Sequence, residues 1–422
     1  MTSGRYFLGW RMVAVSVIIL ALLGPNVLSL ANLYLNYVAK DIDVTISSFT
    51  LANSILHGVG IFFAPLAADL LVSRFKSWHA LGILLFAVSF MGYGLAQSIY
   101  SFYLLSFIAG IGFQLATLMP VSMIVTNWFS KKRGLAMSIA MTGYGIGSAS
   151  LSPLVTFSLE VVGWRYTYLI FGASMLAIAL PLSIFGLVFK PADMGLKAFG
   201  EESDFQDQEE EGTTSAYQIN QDSFVKLPLN KTVKQPFFIY LILGSVLVGI
   251  NNIGGISQFP PFLQTLHGPQ KAAFVISTYA FVGIFGKIAM GSVCDRFGIR
   301  ITNVYQTVLM VATYGFMLAS AINPSQYSFP LLAGIFFGLG NSNGTVLLPL
   351  VPAAIYSPKD YGRAYGFVQS AKQVGMTTGS VITAAIIQAT GGHQSAWLFL
   401  GSVSLLAGVF WWLALVESQK FV

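Results

Sequence analysis

Two lysines, Lys287 and Lys372, stand inside long apolar stretches of the sequence, where a charged side chain is costly unless something compensates it. The same stretches contain no aspartate or glutamate near their middles. Two ammonium groups that face one cavity repel each other, and a carboxylate bound between them would relieve that repulsion and the desolvation of both. The pattern therefore predicts that the missing counter-ion is an anionic substrate.

The alternative is that each lysine bends toward the membrane surface or donates to helix carbonyls, and the residue types alone leave this open. Several amides in the apolar stretches could help to orient a polar ligand, although each could equally make a hydrogen bond between packed helices. These amides are Asn251, Asn252, Asn341, Asn343, Gln369 and Gln373.

The elements that carry these residues follow from composition. The chain has 422 residues, of which 55% are hydrophobic and 9% are charged, whereas about a quarter are charged in a soluble globule. Twelve apolar runs are long enough to cross a hydrocarbon core of about 30 Å as helices. The predicted fold class is thus an all-α polytopic membrane protein. The predicted spans are 10–37, 47–72, 78–96, 100–129, 134–161, 166–189, 237–263, 272–294, 302–322, 327–355, 361–389 and 396–416.

The basic residues predict the orientation. Of 22 Lys and Arg residues, 17 fall in the termini and the loops on the same side, and only Lys40, Arg165 and Lys271 fall on the other. Positive charge marks the cytoplasmic side, so we expect a multi-pass protein of a cytoplasmic (inner or plasma) membrane with both termini cytoplasmic. The net charge of +6 reflects this bias and gives no indication of nucleic acid. The first apolar run is longer than the hydrophobic region of a cleavable signal peptide, so we expect it to remain in the protein.

The sequence divides into two related parts. An acidic, polar run separates them, so we predict an amino-terminal half over 1–190, a cytoplasmic linker over 191–235 and a carboxyl-terminal half over 236–422. The linker could be a flexible tether or a regulatory docking segment. Glycines recur in the fifth span of each half at the same spacing, which is the pattern of a duplicated transporter. They are Gly134, Gly143 and Gly147, matched by Gly366, Gly375 and Gly379.

Two loop motifs carry a resemblance. The segment from Gly291 to Arg300 fits G-x-x-x-D-R-x-G-x-R, and NWFSKKRGLAMS begins at Asn127. Over nearly its whole length the chain resembles the major facilitator superfamily, in the branch of monocarboxylate porters and oxalate/formate antiporters. The resemblance implies a major facilitator fold of twelve transmembrane helices in two pseudo-symmetric six-helix halves, a small-molecule substrate and alternating access.

The motif also predicts gating residues. Asp295 could pair with loop arginines such as Arg296 and Arg300 and tie two helices together at the cytoplasmic face. In the first half Asp69 and Arg74 remain without the motif glycines, which predicts a weaker latch there. The alternative is a cluster of charges that only fixes topology.

The resemblance extends to the candidate site. Lys287 stands where the oxalate/formate antiporter has a basic residue before this loop motif, Lys372 follows a similar run in the eleventh span, and Tyr144 matches a tyrosine of the fifth span. In that transporter a box of aromatic residues encloses the substrate. The matching positions in this sequence hold other residues, which are Leu28, Leu118, Asn341, Thr345 and Gln369. An opened, amide-rich box predicts a carboxylate larger and more polar than oxalate or formate.

Coupling remains open between exchange and proton-linked symport. The spans hold no acid near their middles that could relay a proton, which favours exchange. Symport would need one of the lysines, the substrate carboxylate or His57, and the other histidines are expected in loops or at the interface. With the single Cys294 and no nucleophile, metal cluster or phosphate loop, we expect neither enzyme activity nor a metal or cofactor.

The predicted function is therefore secondary transport of an organic anion by a monomer embedded in membrane lipid. One alternative is a carrier of larger zwitterionic, amino-acid-like or siderophore-like carboxylates. The alternative of another class is a membrane receptor or scaffold that transports nothing.

Overall fold

The computed structural model describes residues 7–200, 224–225 and 229–422. The chain folds into two compact units, Met1–Thr214 and Ser215–Val422. The first unit is built on eight α-helices. They are α1 (Leu8–Leu23), α2 (Pro25–Leu28), α3 (Ala31–Asp41), α4 (Ile46–Ser73), α5 (Phe75–Leu95), α6 (Ile99–Ala116), α7 (Leu118–Trp128) and α8 (Arg133–Ser174). Two π-helical turns, Met175–Ala179 and Leu182–Gly186, extend α8.

The second unit contains seven described α-helices. They are α9 (Leu229–Thr232), α10 (Pro236–His267), α11 (Pro269–Ile322), α12 (Ser328–Gly340), α13 (Leu348–Ile355), α14 (Pro358–Thr390) and α15 (His393–Glu417). A π-helical turn, Asn343–Leu347, joins α12 to α13. The described residues form no strand beyond a single bridge between Phe129 and Phe199, so the all-α prediction is confirmed.

Two glycines explain why long helices represent two spans each. Gly163 within α8 has φ 77° and ψ 169°, and Gly298 within α11 has φ 82° and ψ 167°. Residues with a Cβ rarely adopt this backbone conformation, so each glycine permits a sharp reversal between two helices. In the described part of the chain, nine helical stretches are long and apolar enough to cross a membrane. Two of these stretches contain Gly163 or Gly298 and therefore count as two spans each, which gives eleven spans. The helix α14 is the twelfth, so all twelve predicted spans are accounted for.

Gly163 gives a direct test of this reversal. A Cβ at Gly163 meets no atom within 4 Å, so alanine there is strained by the backbone alone. We expect Gly163→Ala to lower the free energy of unfolding by about 1–3 kcal/mol. Gly58→Ala is the matched control, since its Cβ also meets nothing and Gly58 lies within regular helix. Thermal unfolding in detergent should show a lower midpoint for the first variant and an equal or higher one for the second.

Prolines stand in the first, fourth, seventh and tenth spans, where a missing N–H favours a break, and three of these four spans are interrupted. The first span breaks at Gly24 before Pro25, the fourth at Thr117 before Pro120, and the tenth over 341–347 before Pro349. The seventh span is the exception, because α10 continues through Pro260 and Pro261.

The reason for the unbroken seventh span lies in its surroundings. The two prolines are flanked by Phe259 and Phe262, and both rings are buried against Trp397 in one hydrophobic cluster. This packing keeps α10 helical although the two prolines lack the N–H groups that would close its hydrogen bonds.

The repeated glycines bring the first and fifth spans of each half into close backbone approach. A Cβ at Gly147 would lie 2.1 Å from the Ala21 carbonyl oxygen in the first unit. A Cβ at Gly375 would lie 1.9 Å from the Val246 carbonyl oxygen in the second. Gly143 and Gly379 make similar approaches one turn away. Their equivalent roles explain the repeat found in the sequence, since only small residues allow helices to approach this closely.

The predicted linker over 191–235 includes 201–223 and 226–228, which lie outside the described residues. Its first ten residues belong to the first unit. The Phe199 N–H donates to the Trp128 carbonyl at 2.9 Å, and the Phe199 carbonyl accepts from the Lys131 N–H at 2.9 Å. The ring of Phe7 packs against both Phe129 and Phe199. The NWFSKKRG segment therefore joins both ends of the amino-terminal half.

Candidate functional site

The candidate site in the second unit is organised by the break in the tenth span. The Leu348 N–H donates to the Asn343 carbonyl, which is the five-residue step of a π-helix. The same step would pair the Gly344 carbonyl with residue 349, which is Pro349 and has no N–H. The backbone thus leaves the Gly344 carbonyl in need of a donor.

Lys372 supplies that donor. Its Nζ lies 2.9 Å from the Gly344 carbonyl oxygen, and the residue is 6% exposed. Lys372 projects from α14, whose backbone lies so close to α10 that a Cβ at Gly249 would lie 2.1 Å from the Lys372 carbonyl oxygen. The close approach of the two helices therefore fixes the lysine beside the broken span.

Lys287 lies near the same break. Its Nζ is 3.5 Å from the Gly283 carbonyl oxygen of its own helix, and its side chain is half-buried. A Cβ at Gly286 would lie 2.5 Å from the Gly338 carbonyl oxygen, so this part of α11 packs on the last turn of α12. Lys372 therefore contacts the turn that follows α12, and the part of α11 that carries Lys287 packs on the last turn of α12.

The electrostatic situation of the two lysines is unusual. Within the described ranges, neither lysine forms an ion pair with a carboxylate. Each contacts a backbone carbonyl, which is the alternative that the sequence left open. A carbonyl is a dipole, however, and leaves the full positive charge of a buried ammonium uncompensated. The site can accept an anion.

Polar side chains surround the same break. Asn252 donates through Nδ2 to the Asn343 Oδ1 at 3.3 Å and to the Val248 carbonyl at 3.0 Å, and Asn343 Oδ1 also accepts from the Gly344 N–H at 2.6 Å. Four further side chains each have a buried oxygen without a hydrogen-bond partner among the described residues. They are Asn341, Thr345, Gln369 and Gln373. Such atoms call for a ligand or water.

Asn251 is separate from this group. Its amide donates to the Ser404 Oγ and accepts from the Tyr314 hydroxyl, so it links α10 to α15 and α11. The structure therefore gives Asn251 the helix-packing role that the sequence held as the alternative. Adjacent asparagines on one helix point in different directions, which explains why Asn252 alone reaches the break.

The residues predicted in the first unit also lie at helix breaks. The ring of Tyr144 packs on Gly24, where a Cβ would lie 2.3 Å from it, at the junction of α1 and α2. Leu118 is buried and begins α7 directly after Thr117, whose φ of −116° and ψ of −114° end α6. Leu28 ends α2, and its side chain lies outside the described part of the structure.

The predicted gating residues occupy helix ends. Arg300 donates to the Leu415 carbonyl at 3.3 Å, which ties α11 to the last turn of α15. Arg296 is exposed, with its guanidinium over the Phe297 ring at 5.2 Å. Asp295 and Asp69 are half-buried, and the exposed Arg74 connects α4 to α5. A latch formed by these residues stays a prediction.

The histidines include one correction. His57 is half-buried on α4, and its role as a proton site stays a prediction. His79 was expected at the interface and is instead fully buried. Its Nδ1 lies 2.6 Å from the Ser183 Oγ and its Nε2 lies 3.3 Å from the Ala116 carbonyl oxygen.

The cause of this burial is a second break. Pro120 has no N–H for the Ala116 carbonyl, so a side chain from another helix fills the place.

Sequence reasoning missed Gly344 as a partner of the site. The signal was present, since Pro349 follows Gly344 by the five residues of a π-helical step. It becomes readable only when the π-helical turn is known, because a regular α-helix would pair Gly344 with Leu348. Among the described residues, no group of three or more His, Cys, Asp or Glu residues could hold a metal ion.

Comparison with known proteins places this geometry in a family. The model of the Major Facilitator Superfamily matches residues 12–352 and 241–421. Monocarboxylate transporter 12 of Rattus norvegicus is 26% identical over 374 residues, which cover 85% of this chain and 75% of that protein. Monocarboxylate transporter 2 of Homo sapiens is 23% identical over 376 residues, covering 87% and 77%. The MFS transporter asaE of Aspergillus flavus is 23% identical over 355 residues, covering 83% and 71%.

Solved structures agree on the fold. The proton:xylose symporter XylE bound to 6-bromo-6-deoxy-D-glucose superposes with a TM-score of 0.72 at 15% identity, covering 96% of this chain and 95% of that one. The human organic anion transporter MFSD10 (TETRAN) gives a TM-score of 0.60 at 16% identity, covering 96% and 97%. The chain is thus a multi-pass membrane transporter and not an enzyme, and it belongs to the Major Facilitator Superfamily.

Proposed function

We propose that this transporter carries organic anions, with carboxylates as the substrate class, by alternating access, and that Lys287 and Lys372 bind the anion. The observation that supports this most is the buried ammonium of Lys372, which has a carbonyl dipole but, among the described residues, no carboxylate beside it. Retaining such a charge in a membrane helix is costly without a function. Several relatives are named monocarboxylate transporters, which is consistent with this substrate class.

The polar groups around the break support a substrate with more than a carboxylate. Asn341, Thr345, Gln369 and Gln373 each bring a buried polar atom that a substrate hydroxyl or amine could satisfy. We therefore propose a polar mono- or dicarboxylate larger than oxalate or formate. The same groups favour a second candidate, a carrier of larger zwitterionic, amino-acid-like or siderophore-like carboxylates.

We further propose transport by exchange or by proton-linked symport. Exchange is supported by the two lysines, because an anion that occupies them during each crossing keeps their charges compensated. The proposed setting is an inner or plasma membrane with both termini cytoplasmic, and the proposed functional form is a monomer.

Counterflow in proteoliposomes tests the substrate class. Vesicles that contain purified protein are loaded with one unlabelled carboxylate, and uptake of the same labelled compound is followed. We expect hydroxylated or amino-substituted carboxylates to drive uptake and to exceed oxalate and formate, because they can satisfy the amides as well as the lysines. Neutral analogues in which an amide replaces the carboxylate are the control. Equal uptake of those analogues would contradict the anion proposal.

A further inference from the structure

The break in the tenth span links Pro349, the Gly344 carbonyl and the Lys372 side chain. Because Leu348 donates to Asn343 and Pro349 cannot donate at all, the Gly344 carbonyl has no backbone partner. Lys372 takes that position at 2.9 Å. We propose that Pro349 is a positioning residue of the substrate site, which acts by leaving the Gly344 carbonyl open so that it holds the Lys372 ammonium in place. This inference rests on the proposed function of Lys372.

A hydrogen bond of this kind orients a lysine without consuming its charge. The ammonium has three N–H donors, and one of them goes to the Gly344 carbonyl. Two donors remain for a carboxylate. A free lysine side chain would have to be ordered when the substrate binds, which costs affinity, whereas a lysine already held by a carbonyl avoids most of that loss.

The surrounding contacts make the position specific. Asn343 Oδ1 accepts from the Gly344 N–H at 2.6 Å and from Asn252 at 3.3 Å, which orients the peptide before Gly344. The Thr345 N–H donates to the Ser342 carbonyl at 3.3 Å, which orients the peptide that carries the Gly344 carbonyl. A Cβ at Gly344 would lie 2.4 Å from the Asn252 Nδ2, which shows that α10 presses on this turn. The carbonyl that holds Lys372 is therefore rigidly held itself.

The first unit contains the same arrangement without a charge. Pro120 leaves the Ala116 carbonyl open in the fourth span, and His79 lies within 3.3 Å of it. Because a carbonyl only accepts, the Nε2 of His79 carries a hydrogen, and in a neutral imidazole Nδ1 then accepts from the Ser183 hydroxyl. Both halves thus use a proline to open a carbonyl for a side chain from another helix. Only the second half places a cation there, beside the amides of the candidate site.

The test compares Pro349→Ala with Pro352→Ala. The alanine at 349 gives the Gly344 carbonyl a backbone donor and so releases Lys372, whereas the missing N–H of Pro352 faces a different carbonyl. Reductive methylation of Lys372, followed by mass spectrometry, needs no substrate. We expect it to be about two- to tenfold faster in Pro349→Ala than in the wild type, the factor that corresponds to ordering one long side chain. Pro352→Ala should match the wild type.

Counterflow supplies the second measurement. In Pro349→Ala the KM for the transported carboxylate should rise about two- to tenfold with little change in the maximal rate, since only the ordering of Lys372 is lost. A fall in the maximal rate at unchanged KM would indicate a structural role and would overturn the inference. If the alanine variant does not fold, Pro349→Ser brings the same N–H.

The two measurements separate this inference from the proposed function. Faster methylation of Lys372 in a protein that transports no carboxylate supports the positioning role and refutes the anion proposal. Equal methylation rates in wild type and Pro349→Ala refute the positioning role, whatever the uptake shows.

Discussion

Uptake of a labelled carboxylate into proteoliposomes is expected to fall about 30-fold or more in Lys372→Ala, because removing one member of a buried charge pair costs about 2–5 kcal/mol or more. The charge is buried, has no carboxylate partner among the described residues, and lies among unsatisfied polar groups. Without it, the anion would enter a buried site that offers no positive charge at this position. Initial rates of counterflow measure the effect.

Lys372→Ala also removes the donor of the Gly344 carbonyl, so a loss of activity needs a control for folding. An unsatisfied buried carbonyl costs about 1–3 kcal/mol, which lowers the thermal midpoint without unfolding the protein. Lys372→Gln removes the charge but retains an amide N–H donor, and it should be more stable and equally inactive. Lys271→Ala is the matched charge control, since Lys271 is exposed in the first turn of α11. Uptake in Lys372→Gln at the wild-type rate would refute the assignment.

The spans could be predicted from hydropathy and loop charge. The span 361–389 was assigned as well, although α14 is not among the nine described stretches that are apolar enough to cross a membrane. The repeated glycines also occupy equivalent positions in the two units, since Gly375 packs against α10 and Gly147 packs against α1. These features depend on periodicity and residue size, which a sequence displays directly.

The helix breaks could be predicted only in part. A proline identifies a missing donor, but whether the helix breaks depends on what packs around it. Pro260 and Pro261 remain within helix among buried aromatic rings, whereas Pro349 follows a π-helical turn. The partner of Gly344 likewise depends on which helix lies alongside, and no local pattern contains that information. The burial of His79 could not be predicted either, because it depends on which helix brings the Ala116 carbonyl beside it.

The two lysines show how far the candidate site could be predicted from the sequence. The sequence indicated two uncompensated charges, and the structure places Lys372 on the turn after α12 and Lys287 in the part of α11 that packs on α12. It also distinguishes them, because Lys372 is held at 2.9 Å by a carbonyl of another helix while Lys287 only approaches its own helix at 3.5 Å. This difference predicts that the two positions tolerate different cations.

Lys287→Arg is expected to retain uptake within about threefold of the wild type, whereas Lys372→Arg is expected to lose about tenfold or more, since overpacking a close-packed site costs about 1–3 kcal/mol. Lys287 is half-buried, and the nearest atom to a Cβ at Gly283, one turn away, lies 3.6 Å off. A guanidinium has space there and adds a second parallel donor for a carboxylate. Lys372 instead lies where the backbones of α10 and α14 approach closely.

The comparison is made with initial counterflow rates at saturating and limiting substrate. Lys287→Ala, which removes the charge, should lose activity to a degree similar to Lys372→Ala. This control shows that the charge at position 287 is needed and that arginine is tolerated there because it has room. Thermal midpoints of all four variants identify any that fail to fold. Full activity of Lys287→Ala would remove Lys287 from the site. Equal tolerance of arginine at both positions would contradict the difference in packing, because only Lys372, at the close contact of α10 and α14, lacks room for a larger cation.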